Sequence, residues 1–266
     1  MFKTYSSLYE NIREKNSLRV FYLENQLYKE IAVDIIMPTF NRADSIGASI
    51  NSILKQTHAN WDLYVWDDGS TDQTKQYFKQ FDSNPKIHYC KSETNNGVSF
   101  ARNRCLDLCK SHIITYLDSD NQWSPDYLQT VCSFMMKSKL ECAYLGIKLI
   151  NENGIESCLG REFSWKDCHT KNYVDLNCFA HTRNQLKSMK KQWGYGFDES
   201  IQRLVDWDFI LRMTHGQKCE HLDLFLVDYY CGSNGSRITS SYYTKESELT
   251  SLIQYIQGKH QLDLKS

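Results

Sequence analysis

Apolar residues recur on one helical face at the start of the chain. Tyr5, Leu8, Tyr9 and Ile12 follow i, i+3, i+4, i+7 spacing, with Lys3, Glu10 and Glu14 between them. The spacing predicts a helix packed on the main body; a membrane-surface or partner-binding helix is the alternative, weakened by the mixed charges. From Ile31 the texture changes. Ile31, Val33, Ile35, Ile36 and Met37 form a β-branched run stopped by Pro38, which predicts a buried strand. Ala43–Gln56 then predicts a helix with Ile46, Ile50, Ile53 and Leu54 on one face. Trp61–Trp66 predicts a second strand, followed by a turn at Asp67-Asp68-Gly69-Ser70 and a helix through Tyr77 and Phe78. Lys86–Cys90 predicts a third strand, Val98–Cys109 a helix and His112–Leu117 a further strand. This alternation is that of an α/β protein with a mostly parallel sheet and crossover helices.

Beyond Leu117 the rhythm loosens. Ser124-Pro125-Asp126 predicts a helix start, with Ser124 as N-cap and Pro125 in the first position. Lys139–Lys191 is less regular, with a turn expected at Asn151–Gly154. Helical spacing returns over Val205–Met213, and Leu249, Leu252, Ile253 and Ile256 stripe a final helix. No internal repeat and no low-complexity tract interrupts the chain.

In open parallel sheets, ligands bind beyond the carboxyl ends of the strands. Four segments occupy that place: Pro38–Arg42, Asp67–Ser70, Glu93–Gly97 and Asp118–Asp120. They are rich in carboxylates, amides and glycine, and are expected to converge on one edge.

Composition narrows the options. With 266 residues, 41% hydrophobic and 24% charged, the chain suits one decorated α/β domain and excludes wholesale disorder. Lys+Arg 31 against Asp+Glu 32 gives no global basic field, so nucleic acid is not an expected partner. Ten cysteines raise the question of disulfides or zinc. Without an apolar leader in Met1–Glu10, buried thiols in a reducing cytoplasm are expected instead. Cys168, His169, Cys178 and His181 cluster in sequence, but paired CxxC knuckles are absent. No run reaches the ~18 apolar residues of a membrane span.

Asp118-Ser119-Asp120 closes an apolar strand with two carboxylates on one side of an extended chain. Such a pair suits a hard divalent cation shared with phosphates; an acidic turn capping the next helix is the plain alternative. In Asp67–Asp72 one acid can accept from a nucleobase N–H, while Ser70 or Asp72 caps the following helix. Arg102 offers a planar fork to a phosphate, or a surface salt bridge.

Together, VDIIMPTFNRADSIGASINSILKQTHANWDLYVWDDGSTDQT, NNGVSFARN, YLDSDNQWSPDYL and GFDESIQRLVDWDFILR resemble glycosyltransferase family 2, in order over about Val33 to Ile238. The resemblance implies the GT-A fold, a Rossmann-like sheet flanked by helices. It would span 31–238, with a nucleotide-sugar-binding half (31–121) and an acceptor half (122–238), between helical extensions at 1–30 and 239–266. It implies that Pro38, Thr39, Phe40 and Arg42 contact the nucleoside and its phosphates, and that Asp68 pairs with the base. Asn95, Gly97 and Arg102 would shape the base and diphosphate pocket. Asp118 and Ser119 would lie near the ribose, with Asp118 also beside a metal, and Asp120 would hold Mn2+ or Mg2+ directly. Asp206 would be the catalytic base.

Two positions depart from the pattern. Val205 stands where the family often has glutamate, which puts acceptor specificity in question. The late loop Tyr229–Ser236 lacks the family's basic residue, for which Arg237 is the nearest substitute. Trp193 and Trp207 are candidates for stacking on an acceptor sugar, with hydrophobic core as the plainer role. The implied activity is inverting transfer from a nucleotide-sugar, a UDP-sugar by expectation, to a glycan or lipid-linked glycan. The setting would be bacterial surface polysaccharide or lipooligosaccharide synthesis, in the cytoplasm or at the inner membrane face, with a homodimer open. The rivals are a nucleotidyltransferase, for which no Gly-rich activating loop is present, and a degenerate sugar-nucleotide-binding subunit. The Gly194/Gly196 pair is not a dinucleotide fingerprint.

Overall fold

The computed structural model describes residues 28–231 and 246–260. The expected helix at Tyr5–Ile12 and the substitute Arg237 lie outside these residues. In chain order the elements are β1 (Val33–Thr39), α1 (Ile46–Leu54), β2 (Trp61–Asp67), α2 (Thr74–Phe78), β3 (Ile87–Lys91), α3 (Val98–Leu108), β4 (Ile113–Tyr116) and β5 (Gln122–Trp123). There follow α4 (Tyr127–Ser138), β6 (Cys142–Asn151), β7 (Gly154–Leu159), α5 (Trp165–Thr170), β8 (Phe179–Thr182), α6 (Arg183–Trp193), α7 (Val205–Thr214), β9 (Cys219–Tyr230) and α8 (Glu246–Lys259).

One sheet runs through both halves in the order β3-β2-β1-β4-β8-β6-β9-β5, with β7 paired on β6. β1 is buried at all seven positions, as a central parallel strand requires; β2 and β4 flank it in parallel register. The parallel character resides in these first four strands, where each crossover carries a helix. Beyond β4 the sheet is mixed: β8 runs antiparallel to β4 and β6, and β9 runs parallel to β6. The irregular stretch of sequence supplies these strands through hairpins and long connections rather than βαβ units. Ile46, Ile50 and Ile53 of α1 are fully buried, each stabilising the packing by roughly 1.5–3 kcal/mol relative to exposure.

The start of α4 differs from expectation. The helix begins at Tyr127 with Asp126 as its N-cap, and Ser124–Asp126 form a turn before it. The Gln56 side chain takes the capping task, accepting from Leu128 N at 2.9 Å while donating to Ser124 O at 2.8 Å. A glutamine from α1's end satisfies an orphan helix donor and pins two elements at once.

The C-terminal α8 is locked to α7 by buried charge. Arg212, wholly buried, donates to Asp208 Oδ2 through both Nε (3.0 Å) and Nη2 (2.6 Å). Lys259 of α8 reaches Asp208 (2.9 Å) and Asp198 (2.8 Å), and His260 Nε2 donates to Asp208 at 3.3 Å. Burial alone would raise the Asp208 pKa; the His260 hydrogen bond, Arg212 and Lys259 outweigh it and hold the carboxyl well below the usual range.

Candidate functional site

The β1 and β2 ends are stitched together. Asn41 takes a positive φ of 51°; its N–H donates to Ser70 Oγ at 2.8 Å and its Oδ1 accepts from Thr71 N at 2.9 Å. Asp72 accepts from Ala43 N (3.0 Å) and Thr74 N (2.9 Å), so it caps the entry to α2. Pro38 and Thr39 are buried, Arg42 is half-buried, and the Phe40 ring is 41% exposed at the strand tip.

The adjacent acids divide their work. Asp67 is consumed internally, accepting from Ser70 N (2.7 Å) and Tyr89 Oη (2.5 Å). Asp68 accepts from Asn96 N (2.9 Å) and Gly97 N (2.7 Å) through Oδ2 and so holds the loop before α3. Asn95 Oδ1 accepts from the same Gly97 N–H at 3.2 Å. Gly69 has φ 84°, and a Cβ there would lie 2.6 Å from the Thr94 backbone, so no other residue fits this close approach.

Arg102, 5% exposed, points its Nη2 at Asp118 Oδ1 at 2.8 Å. Asn177 holds the other carboxylate oxygen, donating from Nδ2 to Oδ2 at 3.0 Å, and accepts from Asp118 N at 2.7 Å. Behind it, Asp175 Oδ1 accepts from Asn177 N and Nδ2, both at 2.8 Å. Burial, then the charge of Asp206, pushes the Asp175 carboxyl up to about 7, although the Asn177 bonds pull it down. Thr39 Oγ1, Ser99 Oγ and Arg102 Nε are buried without a protein partner at this edge. Buried polar groups are rarely left so, and these three suit a polar ligand.

The two acids of the D-x-D are unlike. Asp118 gives one oxygen to Arg102 and the other to Asn177, so each oxygen keeps one lone pair for a further ligand. Asp120 has a side chain 40% exposed, with the Arg42 guanidinium 3.5 Å away. One accessible carboxylate, completed by phosphate and water oxygens, fits a hard divalent cation. Among the described residues no three His, Cys, Asp or Glu side chains gather closely enough to hold a metal by themselves. His181 donates from Nδ1 to Thr182 O (2.9 Å) and accepts from Tyr116 Oη (2.7 Å), while Cys168 and Cys178 are buried, free thiols. Ser119 O accepts from Ser45 Oγ at 3.0 Å, which ties the D-x-D turn to α1.

Asp206 lies half-buried in the first turn of α7, its Oδ2 accepting from Asn172 Nδ2 at 3.3 Å. Burial raises its pKa, the Arg102 charge lowers it and the Asp118 charge raises it again, the net direction being upward. Asp206 and the strand-end acids thus share one electrostatic neighbourhood. Trp207 does not stand beside it as a sugar platform: it is 2% exposed, with its indole N–H donating to Cys168 O at 2.6 Å. A ring so enclosed has no face to offer. Trp193 is half-buried, 5.2 Å from the His260 ring. Val205 is 5% exposed in the core, where a glutamate would need a buried partner. Gly196 is needed for close packing, since a Cβ would meet Asn103 Oδ1 at 2.5 Å.

Sequence reasoning missed Asn172, Asp175 and Asn177. The signal was an Asx pattern, Asp175-Leu176-Asn177, just ahead of the apolar run Phe179–Thr182.

The sequence profile described as "Glycosyl transferase family 2" matches residues 34–198. A β-1,3-glucosyltransferase of Escherichia coli, WfgD, is 40% identical over 123 residues, which are 46% of this chain and 48% of that protein. A putative teichuronic acid biosynthesis glycosyltransferase of Bacillus subtilis, TuaG, is 32% identical over 123 residues, 46% and 49% of the two chains. The match thus spans about half the length of each of these relatives. Among solved structures, S. aureus TarS 1–349 in complex with UDP-GlcNAc superposes with TM-score 0.70 at 20% identity, covering 85% of this chain and 65% of that one. That likeness shows the expected GT-A-type α/β fold.

Proposed function

The chain belongs to glycosyltransferase family 2, and from that membership we propose that it transfers a sugar, with inversion, from a nucleotide-sugar to a glycan hydroxyl. The observation that carries this reading is the Arg102–Asp118 pair, 2.8 Å apart just beyond β4, together with Asp206, held by Asn172 and near enough for both charges to act on its carboxyl. TuaG is named for teichuronic acid biosynthesis and a further relative, WcaA of Escherichia coli, for colanic acid biosynthesis, which supports a bacterial polysaccharide role. WfgD is named for UDP-Glc as donor and an α-D-GlcNAc-diphosphoundecaprenol as acceptor. By analogy a UDP-sugar is the donor and a lipid-linked glycan the acceptor here, reached at the membrane surface. Among the described residues no helix is long and apolar enough to cross a membrane.

In the proposed reaction the nucleoside rests against Thr39, Phe40 and Asp68, whose Oδ1, held only at 3.5 Å by Asn96 Nδ2, would accept from the base. Arg42 and Arg102 orient the diphosphate as planar cationic forks. Asp206 accepts the proton of the acceptor hydroxyl while the hydroxyl oxygen bonds to the anomeric carbon. The bond from that carbon to the phosphate oxygen breaks, and its electron pair leaves with the diphosphate. One base and one displacement invert the centre. A divalent cation held by Asp120, Mn2+ or Mg2+, would when bound supply Lewis-acid neutralisation of the departing charge.

The test is sugar transfer across a panel of nucleotide sugars, with and without divalent cation, using lipid-linked and free glycan acceptors. Asp206→Asn is expected to lose about 10²–10⁴-fold in turnover while retaining donor affinity. Undiminished turnover by that variant removes the assigned base. Donor binding without transfer to any acceptor selects the degenerate-subunit reading instead.

A further inference from the structure

β4 and β8 form an antiparallel ladder in which Ile113 faces Thr182, Ile114 faces His181 and Thr115 faces Ala180. Continued in the same register, Asp118 would stand opposite Asn177. The backbone cannot make that pair, because Leu176–Cys178 form a 3₁₀ turn and the Asn177 N–H is turned to Asp175 Oδ1 at 2.8 Å. The Asn177 carboxamide takes over. Its Oδ1 accepts from Asp118 N at 2.7 Å, and its Nδ2 donates to Asp118 Oδ2 at 3.0 Å and to Asp175 Oδ1 at 2.8 Å.

The amide is therefore pinned from two sides. Its residue is 2% exposed, and its backbone carbonyl accepts from Trp123 Nε1 at 2.9 Å. With Arg102 Nη2 on Oδ1 and Asn177 Nδ2 on Oδ2, the Asp118 carboxylate plane has no rotational freedom. Arg102 is fixed in turn, leaving its buried Nε without a protein partner. A residue of the acceptor half thus sets the geometry of an acid and an arginine in the donor half.

We infer that Asn177, anchored by Asp175, is a positioning residue for the donor nucleotide, orienting Asp118 and through it Arg102. The inference rests on the nucleotide-sugar reading of the site. A second consequence separates orientation from mere filling of space. Aspartate at 177 has nearly the same shape but sets a third carboxylate between Asp118 and Asp175, whereas alanine only removes the contacts.

The experiment is titration calorimetry of the full chain with UDP, and with GDP and dTDP, in Mn2+, with thermal unfolding measured alongside. Asn177→Ala is expected to weaken the bound nucleotide about 10–100-fold, the scale of losing a hydrogen bond to a charged group. Asn177→Asp is expected to weaken it further, although it is the closer match in shape; a packing role ranks the two in the reverse order. Asp175→Ala, which releases one anchor, is expected to cost roughly threefold or more and decides the question if the Asn177 variants do not fold. Nucleotide affinity within twofold of the parent chain in Asn177→Ala, or in Asp175→Ala where that must decide, overturns the inference. So does an alanine variant weaker than the aspartate one. A parent chain that binds none of the three nucleotides overturns the functional reading together with this one; a binding parent with unaffected variants overturns this one alone.

Discussion

Asp208→Asn gives a direct measure of the charge cluster that secures α8 to α7. In the native protein Asp208 and Arg212 are both wholly buried, joined by two hydrogen bonds to one oxygen, and Lys259 and His260 share the other. Neutralising the acid leaves the buried Arg212 charge facing a neutral amide, with Gly196 O (2.6 Å) and Met189 Sδ (3.1 Å) on Nη1 and no anion, while Lys259 keeps Asp198. Removing one member of a buried ion pair typically costs about 3–5 kcal/mol, most of it the uncompensated partner charge. For a chain of this size that is a fall in Tm of roughly 6–15 °C. Urea unfolding, with linear extrapolation and unchanged m, checks the figure. The double variant Asp208→Leu with Arg212→Met removes both charges and should recover most of the loss. Acid unfolding adds an independent check. A carboxyl depressed below its unfolded value of 3.8 contributes stability that is present above that pH and lost as pH falls through the folded pKa. The variant should therefore show a shallower acid transition than the native protein. A loss below about 1 kcal/mol, or a double variant as unstable as the single one, would falsify the reasoning.

Three further outcomes are expected. Because the Asp206 pKa is raised and the group must be ionised to act as base, kcat/KM should rise with pH through an acid limb above the usual aspartate range; a profile flat down to about pH 4 contradicts the assignment. Asp175 holds its proton up to about 7 when folded but releases it near 3.8 when unfolded, so its contribution to stability falls as pH rises across that interval. Chemical denaturation should accordingly show Asp175→Asn gaining on the native protein between pH 4.5 and 8, by roughly 1–3 kcal/mol; an equal difference at both pH values refutes it. Gly69→Ala combines a left-handed φ with a backbone clash against Thr94, so it should destabilise the fold by about 1–3 kcal/mol and weaken UDP binding; native stability and affinity would contradict the requirement for glycine.

Local signals in the chain were enough for the parallel half. The β-branched run at Val33–Met37 is a strand because a centrally placed parallel strand is apolar on both faces, and the helices between strands carry their own 3.6 period. Those elements depend on neighbours in sequence, so sequence alone determined them. The strand-end segments nominated Asp68, Asp118 and Asp120 as candidates, the pattern leading into the next helix added Arg102, and the family resemblance supplied Asp206.

Tertiary structure decided the rest. Asn177 meets Asp118 only because β8 runs antiparallel to β4 and starts from a 3₁₀ turn, a pairing across 59 residues with no local period. Gln56 displaced Ser124 as the cap of α4, and Trp207 turned inward, for the same reason: each choice is made by groups distant in the chain competing for one buried position. Likewise the stripe of α8 shows an apolar face, but its Lys259 and His260 acquire meaning only when folding sets them on Asp208. Propensity and period act within a few residues, whereas the direction of a buried polar side chain is set by whichever partner the fold delivers.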